Sequence, residues 1–196
     1  MRNGADVAKR CVCVEITRQR AAIEGIDPEQ AEVLRAHYPR LVEVLDLEAA
    51  LLPIEAKTLE AELGDVPRWD SLVGSTSLQC AVLLWALGRV DRLPTVASVD
   101  DGSFLDDLGR WSFLGIADID VLKASIETAE LRDGREMRKA FEAAERSLSD
   151  ASRLMHKGIA KVEKLTAGGE AERSDLIAFS VIAGLAWVLD RERSDY

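Results

Sequence analysis

The chain has 196 residues, 47% of them hydrophobic and only 5% aromatic. This suits one globular domain with a core of Ala, Leu, Val and Ile, and excludes a disordered chain. With 25 Lys and Arg against 35 Asp and Glu, the formal charge is −10, a field that repels nucleic acid and anionic membrane surfaces and attracts a basic protein.

Helical periodicity dominates from the start. Asp6 or a neighbour opens a first helix through AKRCVCVEITRQRAAIEG, which Gly25 is placed to end. Cys11-Val12-Cys13-Val14 has the look of a strand, but its flanks favour helix. Asp27-Pro28-Glu29 makes a good N-terminus for the next helix, with Pro in the first turn. Pro39 breaks or kinks that helix, after which LVEVLDLEAALL continues at helical spacing. Pro53 starts a short helix, IEAKTLEAEL, closed by Gly64.

Two segments are apolar nearly all round and are expected at the centre of the fold. One is Ser77–Leu87, followed by Gly88 in the position of a left-handed C-terminal cap. The other is Ser174–Leu189, where Ala183 and Gly184 would let a neighbouring backbone approach. Between them, Thr95–Asp120 reads as irregular, interrupted by Ser98, Gly102, Gly109 and Gly115. Arg135 to about Leu165 reads as an amphipathic helix of about eight turns, with Met137, Phe141, Ala144, Leu148, Ala151, Met155 and Val162 on one stripe. The expected fold is therefore all-α: one domain over residues 1–196 with its core at about 8–190, a bundle of six to eight helices with two buried at its centre.

Five strings stand out in order: VAKRCVCVEITRQRAAIEG, LLPIEAKTLEAELGDV, VLLWALGRVDRLP, AELRDGREMRKAFEAAERSL and GGEAERSDLIAFSVIAGLAW. Together, over roughly Ala8 to Asp190, they resemble the bacterial "domain of unknown function 4272" family, with the WALG string as the hallmark. The resemblance implies an all-helical fold and a bacterial setting, and carries no activity with it.

The familiar catalytic patterns are missing. The two histidines, His37 and His156, belong to no H-E-x-x-H or Glu-x-x-His arrangement. There is no G-x-S-x-G elbow, and Gly168-Gly169 lacks the flanks of a phosphate loop. Cys11, Cys13 and Cys80 are an odd set without zinc or disulfide-framework spacing, which points to a reducing cytoplasm and to ordinary partly buried thiols. No signal peptide is expected, and the most apolar runs fall short of the roughly 20 residues that span a bilayer. Asp100, Asp101, Asp106 and Asp107, with Asp118 and Asp120, lack the spacing of a calcium loop and suit capping and solvation. Glu127 with Glu130, and Glu142 with Glu145, read as solvated helix faces beside Arg132 and Arg146.

The polar residues most suited to a ligand or partner are Glu172 and Arg173, at the mouth of the last buried helix, and Arg89 and Asp91, just beyond the hallmark turn. Trp85 could line a cleft beside them. The leading expectation is a non-enzymatic cytoplasmic interaction module, an adaptor or an immunity-like inhibitor of a basic partner, with no metal and no cofactor. The alternative is an enzyme or small-ligand binder with a polar cleft between helices.

Overall fold

The computed structural model describes residues 1–24, 28–60, 69–148 and 170–190. Their elements are α1 (Gly4–Glu24), α2 (Pro28–Val44), α3 (Pro53–Glu60), α4 (Trp69–Ala86), α5 (Val96–Asp100), α6 (Ser103–Trp111), α7 (Ile119–Glu127), α8 (Gly134–Ser147) and α9 (Glu170–Leu189). Two 3-10 turns, Glu48–Ala50 and Phe113–Gly115, complete the set, and there is no strand among the described residues. The all-helical bundle expected from the sequence is what the chain forms. No described helix is long and apolar enough to cross a membrane.

α4 and α9 pack against each other at the centre, as their apolar composition requires. α1 joins them there. From Val7 to Thr17 nearly every residue of α1 is out of solvent, including Arg10, Glu15 and, a turn later, Arg20. It packs against α4, α2, α3, α7 and both 3-10 turns, while α8 covers the other side of α9. Asn3 caps α1, its side chain accepting from the Asp6 amide at 2.8 Å.

Several local readings change. α2 runs through the exposed Pro39 without breaking. It stops at Val44, because Asp46 takes a left-handed conformation (φ 51°). The amides of Asp46 and Leu47 then bond back to the carbonyls of Glu43 and Val42, so the helix does not continue through LDLEAALL. Thr95–Asp120 is largely helical rather than irregular. Thr95 and Ser98 cap the short α5 reciprocally, and Asp118 caps α7 by accepting from the amides of Asp120 and Val121. Asp101 accepts from the Ser103 amide, so part of the aspartate cluster is spent on turns and caps. The helix that starts near Arg135 ends at Ser147, with Leu148 already extended. Its expected continuation, with Ala151, Met155, His156 and Val162, lies outside the described residues, as do the stops at Gly25 and Gly64, the Asp27 cap and Gly168-Gly169.

The left-handed turn expected after α4 forms. Gly88 is left-handed (φ 67°), and the amides of Gly88 and Arg89 close onto the carbonyls of Trp85 and Leu84. Arg132 completes this end of α4. Its side chain donates to the carbonyls of Trp85 (2.6 Å) and Val90 (2.7 Å), and its amide donates to the carbonyl of Ala86. The guanidinium also lies over the Trp85 ring, 5.0 Å from its centroid. Thus two of the five strings, the one with WALG and the one with Leu131-Arg132, meet in space. The same device closes α9: Arg2 donates to the Trp187 carbonyl, stacks on the Trp187 ring at 4.2 Å and reaches Asp190.

Candidate functional site

α1 carries two buried polar groups that organise what surrounds it. The first is an ion pair of Arg10 with Glu55 at the start of α3, both almost fully buried. Glu55 also accepts from the Leu52 amide (3.0 Å), so one carboxylate neutralises α1 and caps α3.

The second is Glu15, one helical turn beyond Cys11 and fully buried. Its carboxylate accepts from the Ser112 hydroxyl (2.9 Å) and from the amides of Phe113 (3.1 Å) and Leu114 (2.9 Å). Burial pushes the Glu15 carboxyl above its ordinary value, and these three donors pull the other way. Cys11 and Cys80 complete the cluster. Their sulfurs stand 3.9 Å apart and 3.8 and 3.7 Å from Glu15 Oε1. Burial pushes the Cys11 thiol well above 9.0. Cys13, two residues on, faces away toward the Leu47 carbonyl, as the helical period dictates. The thiols are therefore fully rather than partly buried, and Cys11 is paired across the core with a cysteine 69 positions away.

Glu15 holds the Phe113–Gly115 turn from the inside. The outer side of the same segment, through Leu114 and Ile116, forms one wall of a half-open groove of about 530 Å³. Ala117 and α7 residues Ile119 and Leu122 extend that wall, and α2 supplies the other through His37, Arg40, Leu41 and Val44. Ile119 and Val44 are each 37% exposed, so apolar surface is open to a partner here. Glu43 on α2 and Asp118 and Asp120 on either side of Ile119 are exposed.

The residues singled out from the sequence do not gather at this groove. Trp85 is buried beneath Arg132. Arg89 lies over the Phe113 ring (3.7 Å), donates to the Trp111 carbonyl and Ser125 hydroxyl, and so clamps the segment between α6 and α7. Burial lowers its guanidinium below its ordinary value, with Cys11 and Glu15 acting electrostatically to raise it in return. Asp91 is exposed. Glu172 and Arg173 fall in the first turn of α9, and their side chains lie outside the described residues. Glu142 does pair with Arg146 on the α8 surface, whereas Arg132 serves α4 and Glu136.

Sequence reading missed the groove because its walls come from positions some seventy residues apart, each bland in isolation. The Cys11–Glu15 spacing of four, which places both on one face of α1, was the available signal for the buried cluster. No family model, curated protein or solved structure matches the chain.

Proposed function

We propose that the protein is a non-enzymatic interaction module that docks a basic partner through the groove between α2 and the Phe113–Leu122 segment. The observation that carries this reading is the apolar lining of the groove, open at Val44 and Ile119 on a molecule of charge −10. The occupant that fits is an apolar side-chain row flanked by Lys or Arg: the apolar groups fill the groove, and the acidic field speeds encounter. Arg40 on the α2 wall gives the groove a cationic side, so an amphipathic segment fits it better than a uniformly basic one. The order of the five strings is what supports a resemblance to the "domain of unknown function 4272" family, and with it a bacterial cytoplasm.

Affinity capture with wild type and Ile119→Asp, at low and moderate salt, tests the reading. Asp is well tolerated at the exposed first position of α7, so the fold survives the change. A basic partner should be retained by wild type, weaken with salt and fall at least about thirtyfold in affinity for the variant. Equal retention by both proteins refutes groove docking.

A further inference from the structure

The Cys11–Glu15–Cys80 cluster has the makings of a site that docking at the groove does not use. Three potential ligand atoms from α1 and α4, all within 4.8 Å of one another, are enclosed in the core. They form a nearly equilateral triangle, with a sulfur–sulfur edge of 3.9 Å and sulfur–oxygen edges of 3.8 and 3.7 Å. A tetrahedral zinc ion, with bonds of about 2.3 Å to sulfur and about 2.1 Å to oxygen, sets edges of about 3.8 and about 3.6 Å. The triangle therefore needs to contract by only about 0.1–0.2 Å to close on such an ion.

We propose that Cys11, Cys80 and Glu15 bind one divalent cation of the zinc class between α1 and α4. Two thiolates select a borderline-soft metal over magnesium or calcium, which prefer all-oxygen cages. The carboxylate is held from behind by Ser112, Phe113 and Leu114, as outer hydrogen bonds orient the ligands of known metal sites. Binding exchanges two thiol protons, released to solvent, for two metal–sulfur bonds. Two thiolates and one carboxylate around a dication leave one net negative charge. The Arg89 guanidinium lies over the ring of Phe113, whose amide donates to Glu15, and offsets part of that charge. Among the described residues three donors converge, so a fourth ligand of a tetrahedral ion would come from outside this cluster. Because the donors are enclosed, the ion is loaded as the chain folds rather than through the finished surface.

Cobalt(II) reports this geometry directly. The full chain is unfolded under reducing conditions with chelator, freed of the chelator and refolded with increasing cobalt(II). One equivalent should produce thiolate-to-cobalt charge-transfer absorption with intense visible bands of tetrahedral coordination, and zinc(II) should bleach both. Cys11→Ser and Cys80→Ser should each lose the signal, Cys13→Ser should keep it, and Ser112→Ala should weaken binding by about 10- to 100-fold. Absence of charge-transfer absorption from helical, refolded wild type overturns the proposal, and so does a band that survives Cys80→Ser. Should the cysteine variants fail to fold, the wild-type titration and Ser112→Ala decide. Loss of two titratable thiols in wild type without a cobalt signal identifies a Cys11–Cys80 disulfide and likewise overturns it.

Discussion

Gly184 of α9 rests on Val82 of α4 so closely that a β-carbon added at Gly184 would lie 2.7 Å from Val82 Cγ1 and 3.2 Å from its Cβ. Val82 is fully buried and β-branched, so it has little room to turn aside. The missing side chain is what lets the two central helices lie together. Gly184→Ala should therefore destabilise the protein by roughly 1–2 kcal/mol, even though alanine gains up to about 1 kcal/mol over glycine in a helix. In a Val82→Ala background the 2.7 Å contact is gone and only the 3.2 Å contact to the β-carbon remains, so the same change should cost clearly less. Chemical denaturation of the four proteins in this cycle measures that coupling.

The Arg10–Glu55 pair sits between α1 and α3 with both side chains 6% exposed. Glu55→Ala leaves a buried guanidinium without its carboxylate and should cost about 3–5 kcal/mol. Replacing both partners, Arg10→Met with Glu55→Leu, should recover most of that loss. Urea midpoints for the single and double variants check the order.

Tyr38 is buried, and burial pushes its phenol from 10.0 up to about 12, with the nearby Arg20 cation pulling weakly back. A phenol whose folded-state value is raised contributes its full stability below pH 10, and that contribution is lost as pH rises toward about 12. Tyr38→Phe has no such group. Its thermal midpoint should fall less than that of wild type across this window, measured by helical circular dichroism at successive pH values. Equal slopes for both proteins would count against the placement of Tyr38 in the core.

The Arg132 side chain serves the carbonyls of Trp85 and Val90 at once, so its loss removes both bonds from the end of α4, while the backbone bond to Ala86 stays. Arg132→Met should cost about 2–3 kcal/mol. Arg132→Lys should restore little of it, because one ammonium cannot reproduce the planar fork. Comparing the two variants by denaturation separates this capping role from a simple effect of charge.

The parts of the fold that were legible in the sequence are those where burial leaves a one-residue signature. α4 and α9 announce themselves because they have no polar face, and the end of α4 because Gly88 is the residue a left-handed turn favours. α1 was not recognisable as central, since Arg10, Glu15 and Arg20 break its apolar pattern. Partners from distant positions make that burial tolerable: Glu55 for Arg10, and Ser112 to Leu114 for Glu15. The end of α2 is similar, because an aspartate rather than a glycine adopts the left-handed conformation there. The groove leaves no local trace, since Ile119 and Val44 are exposed apolar residues like any others until the fold sets them on one surface.

The most direct test of groove docking is a photo-crosslinking residue placed at Ile119, with Val121 on the same helix as the control. Val121 is 56% exposed and lines no part of the groove. In a lysate of the source organism at low salt, the probe at position 119 should capture one protein through a peptide that combines apolar residues with Lys or Arg. The probe at 121 should not capture it, and moderate salt should reduce the yield. No adduct at 119, or the same adducts at both positions, would contradict docking at this groove.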